Sequence, residues 1–230
     1  MNIPVISALA LGMAAASYWK KLTIPAALTG GVVGWLSYVC AGYTGLGMLA
    51  AFFVLGTGAT SWKKEQKEGH QTTRTTGQVL ANGGVAALMG LGCLFFQKEQ
   101  SLFQMMMAGS LAAATADTLS SELGTVYGRK FYNILTGRPD IKGRDGVVSL
   151  EGWGIGLLGS TVIALIYVIG LRPASPVPQC GIVILSGTIG NAVDSVLGAS
   201  LERRGRLSND AVNLLNTLSA GVVAGILFFS

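Results

Sequence analysis

Charged side chains are scarce in this 230-residue chain, at 12%, where soluble domains carry about 25%. A water-exposed globular surface is therefore excluded. Histidine is nearly missing. His70 stands alone in a polar loop, and nothing around it supports a His-based nucleophilic triad. Three cysteines, Cys40, Cys93 and Cys180, lie scattered in apolar surroundings with no CxxC pair. That excludes a common metal motif and predicts buried free thiols. The phosphate-loop pattern G-x-x-x-x-G-K-[ST] does not occur, and no RNA- or DNA-binding module is visible. Residues 1–6 lack a basic start, and the apolar pattern continues along the chain, so no cleavable leader is expected.

What is present is apolar. Half of the residues are hydrophobic and the mean hydropathy is +0.55. Eight windows, at 3–19, 22–40, 45–61, 78–96, 102–124, 151–171, 179–199 and 211–229, each approach the roughly 20 residues that a bilayer-spanning helix needs. The expected fold is all-α, a polytopic transmembrane bundle of seven to eight helices forming one integral membrane domain over 1–230. Only Lys20 and Lys21 separate the first two windows, so two spans and one broken element are both open there. The 33 glycines suit close backbone contact between membrane helices.

The basic residues orient the bundle. With alternating spans, Lys20, Lys21, Lys63, Lys64, Lys67, Arg74, Arg129, Lys130, Arg138, Lys142, Arg144, Arg203, Arg204 and Arg206 share one side, and Lys98 and Arg172 fall on the other. The first side is predicted to be cytosolic, and both termini face outward. Three cytosolic hairpins share one form. Their loops are SWKKEQKEGHQTTRTTGQ (61–78), YGRKFYNILTGRPDIKGRDGVVS (127–149) and ERRGRLSND (202–210). Two descending segments, ATADTL (114–119) and NAVDSV (191–196), each put an Asp before a hydroxyl residue. They form a weak internal repeat of the kind that builds membrane sites from corresponding elements.

Ionisable groups inside a membrane are costly and face a protein interior or a wet cavity. Asp117 and Asp194 lie at similar depth in their helices. Helical spacing puts Asp117, Ser121 and Gly124 on one face, and Asn191, Asp194, Ser195 and Gly198 on another. Two carboxylates among amides and hydroxyls suit Mg²⁺ with retained waters, with Glu122 as a further candidate ligand. Pairing of each Asp with an Arg or Lys between helices is the alternative. Asn82 precedes two glycines, and Asn209, Asn213 and Asn216 recur along one helical face. Asn209 or Ser208 could cap that helix, and interhelical hydrogen bonding is the other reading of Asn213 and Asn216.

KGRDGVVSLEGWGIG (142–156) sets Lys142 and Arg144 before a glycine and then Ser149, Glu151 and Gly152 at a helix start. Helix N-termini attract phosphate, and neighbouring cations add charge-assisted bonds. Lys142 and Arg144, with Arg129 or Lys130, are therefore candidates for nucleotide phosphates. The positive-inside bias explains the same residues without a ligand. Arg74, Gln78 and Asn82 are candidates to complete the site from the first hairpin.

SLAAATADTLSSELG, GVVSLEGWGIGLLGS, GNAVDSVLGAS and QVLANGGVAALMG together resemble the integral-membrane family that includes plant phytyl-phosphate kinase. The resemblance runs from about residue 45 to the end, making 45–230 the family core and 1–44 the N-terminal spans. More distantly, DTLSSELGTVYGRK followed by VVSLEG is similar to the pattern of dolichol kinase, phytol kinase and phosphatidate cytidylyltransferase, which use CTP and Mg²⁺ on membrane lipids. Those proteins have Lys-Thr or similar where this chain has Val148-Ser149. The resemblance implies phosphoryl transfer from a nucleoside triphosphate, CTP by that likeness, to an isoprenoid monophosphate, giving the diphosphate. A lipid-alcohol kinase, a cytidylyltransferase, and a transporter or flippase for a phosphorylated lipid are the competing readings. Polar groups crowd the cytosolic half of the spans, which favours a one-sided enzyme over a transporter.

Overall fold

A computed structural model describes residues 2–63, 65 and 73–229. His70, Lys64 and Lys67 lie outside the described residues. Seven helices are present among them: α1 (Ile3–Tyr18), α2 (Ile24–Ser61), α3 (Thr76–Phe95), α4 (Gln100–Tyr127), α5 (Leu150–Leu171), α6 (Pro176–Leu197) and α7 (Asn209–Phe228). A two-stranded ribbon, β1 (Tyr132–Asn133) with β2 (Val147–Val148), precedes α5. Five of the helical elements are long and apolar enough to cross a membrane, namely α2, α3, α5, α6 with its extension to Glu202, and α7.

The helix α2 contains two of the expected windows. At Ala41 (φ −131°, ψ 17°) and Gly42 (φ 58°, ψ −143°) the backbone leaves the helix, and a left-handed φ of this kind suits glycine. The chain then folds back. A Cβ on Gly45 would touch the Ser37 carbonyl, and one on Gly34 would meet Leu46 and Leu49. Arms 24–40 and 43–61 therefore lie side by side, and the eight-window pattern survives as seven helices. Residues 2–40 supply two helical segments, α1 and the first arm.

Breaking a helix frees carbonyls that must find other partners. The side-chain amides of Gln100 and Gln104 both donate to the Cys40 carbonyl, at 3.0 and 2.8 Å. At the same end Cys40 and Cys93 are joined in a disulfide. This corrects the expectation of free thiols for those two residues. They stand 53 residues apart in sequence, and only the packing of α3 on α2 brings them together. Cys180 is a free thiol.

The helix α4 forms the axis and packs against α2, α3, α5, α6 and α7. Residues 107–116 are buried without interruption, so no face of this stretch meets lipid. The run is MAGSLAAATA, and its small side chains let neighbours approach. A Cβ on Gly124 would sit 2.9 Å from Gly152 Cα of α5, and one on Gly109 would sit 2.7 Å from Ala224 Cβ of α7. Close backbone approach through small residues is the usual way membrane helices pack.

The helix starts also follow the sequence. Thr75 and Gln78 form a reciprocal capping box on α3. The Ser149 hydroxyl accepts the Gly152 N–H on α5, at 3.1 Å. On α7 the cap is Ser208, which accepts the Ala211 N–H at 3.3 Å, so of the two capping candidates it is Ser208 that fills the role. Gly137, Gly143 and Gly146 have φ of 64°, 82° and 69°, and they make turns in the second basic loop.

Candidate active site

A cavity of about 350 Å³ opens where α3, α4, α6 and α7 meet the second basic loop. Asp117 comes from α4 and Asp194 from α6. The two carboxyl groups face one another within direct interaction range. The two similar segments are thus brought together as halves of one site. Around the pair stand Ser121, Glu122, Asn191 and Ser195, with Asn213 from α7. From the first hairpin come Arg74, Gln78 and Asn82, and from the second loop Arg144 and Ser149. Twelve of the seventeen candidate residues therefore line one space.

The other five lie elsewhere. Lys142, Arg129 and Lys130 are exposed and do not line the cavity. The backbone N–H of Arg129 donates to Glu151 at 3.4 Å, which ties the end of α4 to the start of α5. Asn216 is fully buried beside Asp194 and Gly190, deeper than the lining. Positive charge in a sequence does not reveal which way a side chain points, and this accounts for the three basic residues.

Among the described residues, most of the buried polar atoms without a hydrogen-bond partner lie at or just beneath the floor, and Ser110 Oγ and Ser186 Oγ lie elsewhere in the core. Those at the floor are Asp194 Oδ1, Asn82 Oδ1 and both amide atoms of Asn216. Such atoms are rare in folded proteins, and a water or ion commonly satisfies them. Mg²⁺ is typically held through one or two carboxylates together with waters and substrate phosphates. The Asp117–Asp194 pair and its unsatisfied oxygen fit that group. No cluster of three or more His, Cys, Asp or Glu with metal-binding geometry is found among the described residues. Glu122 stands toward the first hairpin, where the Thr60 hydroxyl donates to it at 3.1 Å and Arg74 lies within electrostatic range.

Several lining residues were not singled out from sequence. Thr60 ends α2, Asp145 sits within the KGRDG turn, and Glu202 closes the π-helical segment Gly198–Glu202 that follows α6. In total five carboxylates (Asp117, Glu122, Asp145, Asp194 and Glu202) and two guanidinium groups (Arg74 and Arg144) line the cavity. Asp145 follows Arg144 and Glu202 precedes Arg203, and these basic neighbours masked the two acids in the sequence.

Arg203 anchors the covering loop. Its guanidinium donates to Asp140 Oδ2 at 2.8 Å and to the Asp145 carbonyl at 3.0 and 2.6 Å. Arg144 pairs with the other oxygen of Asp140 at 3.6 Å. The Arg203 bond, then the Ile141 N–H, hold the Asp140 carboxyl down at about 2. Gly146 lies so close to Ala199 that a Cβ has no room. Arg203 reads in sequence as a topology marker, and in the structure it also clamps a loop.

Fold and site together define a polytopic membrane protein with a polar, carboxylate-floored cavity at the end of the bundle that carries the basic loops. The chain belongs to the integral membrane protein family DUF92, whose model matches residues 7–221. An uncharacterized membrane protein of Methanocaldococcus jannaschii is 36% identical over 84% of this chain and 79% of its own. The chloroplastic protein VTE6 of Arabidopsis thaliana is 33% identical over 89% of this chain, which spans 63% of that protein's length. Protein PGR of the same plant is 29% identical over 77% of this chain and 72% of its own. No solved structure matches significantly.

Proposed function

We propose that this protein is a membrane kinase that transfers a phosphoryl group from a nucleoside triphosphate, CTP by family likeness, to an isoprenoid monophosphate. An oxygen of the lipid phosphate attacks the terminal phosphorus of the nucleotide. The bond to the nucleoside diphosphate breaks, and the lipid leaves as its diphosphate. The observation that carries this reading is the Asp117–Asp194 pair in one cavity with Arg74 and Arg144.

Phosphoryl transfer is mainly positioning and charge neutralisation. Five carboxylates around the cavity would repel a bare triphosphate, so the acidity suits a nucleotide that arrives with Mg²⁺. Asp117 and Asp194 would hold that ion, which supplies neutralising charge when bound. Arg144, at the turn before the capped start of α5, would orient the nucleotide phosphates with the help of Ser149 and the free N–H groups of that helix start. Arg74, Gln78 and Asn82 would face the lipid phosphate from the opposite wall.

The lipid phosphate is an anion near neutral pH, with a second pKa of about 6. It needs no general base, in contrast to a lipid alcohol. This agrees with a chain whose lone histidine is His70. The bundle beyond the aspartates also supports an enzyme over a transporter. There the core is dominated by Met105, Met107, Leu111, Ile163 and Val183, all fully buried, interspersed with the small buried hydroxyls of Ser110, Ser160 and Ser186. The cavity would open to the cytosol, the side to which the positive-inside rule assigns the basic loops.

The test is incubation of purified protein with Mg²⁺, each of four nucleoside triphosphates, and phytyl, geranylgeranyl or farnesyl monophosphate. Diphosphate product is expected, with activity falling below about pH 6 as the attacking phosphate gains a proton. Efficient conversion of a prenol would install the lipid-alcohol kinase instead. Release of pyrophosphate with cytidylyl transfer would install the cytidylyltransferase. Lipid translocation across vesicles without product would install the flippase.

A further inference from the structure

A second cavity, of about 290 Å³, lies between α1, the two arms of α2 and α3. Its walls are aliphatic and aromatic, with Leu9, Met13, Val33, Leu46, Leu49 and Phe53 among them. It runs beside α1 from Ala8 to Ala16, about 12 Å of helix at 1.5 Å per residue. Its polar residues are Arg74 and Gln78, and both also line the carboxylate-floored cavity. The two spaces therefore meet at one pair of side chains.

Arg74 is built into that junction. Its backbone N–H donates to the Lys21 carbonyl at 2.9 Å, and its own carbonyl accepts the Thr23 N–H at 3.1 Å. These bonds fix it against the α1–α2 connection. Its guanidinium lies over the Phe52 ring at 5.3 Å. Gly56 makes room for it, since a Cβ there would sit 2.7 Å from Nη2. An aliphatic channel that ends at a fixed cation matches a molecule with an apolar tail and an anionic head. The same cation then places the head at the mouth of the polar cavity.

We infer that the groove between α1, α2 and α3 is the tail-binding site for an isoprenoid monophosphate, with Arg74 as the group that receives its phosphate. This inference rests on the lipid-phosphate reading above and assigns to it a route of entry. Charge complementarity at Arg74 and continuity with the polar cavity select this occupant over a neutral lipid. Two glycines give means to close the groove. A Cβ on Gly12 would meet nothing within 4 Å, and one on Gly30 would meet only Leu22 at 3.9 Å. Larger side chains at both positions would grow into the open space and leave the backbone undisturbed.

The experiment is photolabelling of the full chain in vesicles, without nucleotide, by geranylgeranyl monophosphate carrying a diazirine at the tail end. Adducts are expected on Leu9, Met13, Leu46 or Leu49. Gly30→Leu and Gly12→Leu should each lower labelling at least tenfold, and the wild-type adduct map tests the site even if one variant fails to fold. Arg74→Gln should lower labelling by the monophosphate about tenfold and leave labelling by the matching diazirine prenol unchanged. Adducts concentrated on Val162, Leu165 or Ile169, at the apolar hollow across the bundle, would overturn the assignment. So would labelling indifferent to Gly30→Leu, or equal labelling by a diazirine phosphatidic acid. An equal loss of both probes in Arg74→Gln would overturn the role of Arg74. Groove labelling without any diphosphate formation would remove the kinase reading and leave the binding site standing.

Discussion

The two cavities share Arg74 and Gln78 and differ in almost everything else. One is walled by carboxylates, amides and hydroxyls from α3, α4, α6, α7 and a clamped loop. The other is walled mainly by aliphatic and aromatic side chains from α1, α2 and α3. The polar space draws on segments far apart in the chain, whereas the apolar one comes from the first 83 residues. The polar space sits at one end of the axis α4, next to its enclosed stretch 107–116. The apolar space, which we propose takes a lipid tail, is formed by α1, α2 and α3. On the proposed reading, catalysis and lipid choice fall to separate parts of one molecule, and each is open to separate disturbance.

The largest expected effect is on the polar side. Asp117→Asn or Asp194→Asn should lower the rate of phosphoryl transfer by 10²–10³, or roughly 3–4 kcal/mol of barrier. Labelling of the apolar groove and thermal unfolding in detergent should stay near wild type. Product assays alongside photolabelling check this. Loss of both functions together would show that the cavities are not separable.

A smaller effect is expected from Arg144→Ala, which should raise the KM for nucleotide about tenfold and leave the KM for lipid phosphate unchanged. That result would sharpen the contrast between a loop that serves the nucleotide and a hairpin that serves the lipid. A change only in membrane orientation, detected by labelling introduced cysteines from either side, would return Arg144 to the topology role.

Acid should release the clamped loop. The Asp140 carboxyl is held at about 2, below the ordinary value of roughly 3.9. A depressed carboxylate contributes stability above its ordinary value, and that contribution is lost as pH falls through the folded value. Hydrogen exchange at the Ile134 and Val147 amides, which bond the Gly146 and Arg144 carbonyls, should therefore quicken between about pH 4 and pH 2. In Arg203→Ala the same amides should exchange fast already at neutral pH. An acid response identical in wild type and Arg203→Ala would exclude the clamp.

The smallest effect is expected at His70, where His70→Ala should leave the pH–rate profile with lipid monophosphate unchanged. An inactive variant would restore the lipid-alcohol reading, in which a base is needed.

Sequence reasoning reached the helical membrane bundle, the crowding of basic residues into the loops of one end, the Ser208 cap and the paired aspartates. These follow from local rules. A window of apolar residues spans a membrane wherever it occurs, a basic loop marks one side, and a hydroxyl before an apolar run caps a helix. Asp117 and Asp194 were legible because a carboxylate in an apolar run demands a partner or a cavity. What could not be read was which distant groups meet. Cys40 finds Cys93 only because the reversal at Gly42 sets it beside the end of α3. Glu202, Asp145 and Thr60 join the polar cavity from loop edges, and Lys142 misses it while its neighbour Arg144 does not. Arg74 becomes a junction between two spaces only once α1 and α2 have packed against α3. Hydropathy and charge act residue by residue along the chain. Convergence depends on how close small side chains let the helices come, and that is a property of pairs of surfaces.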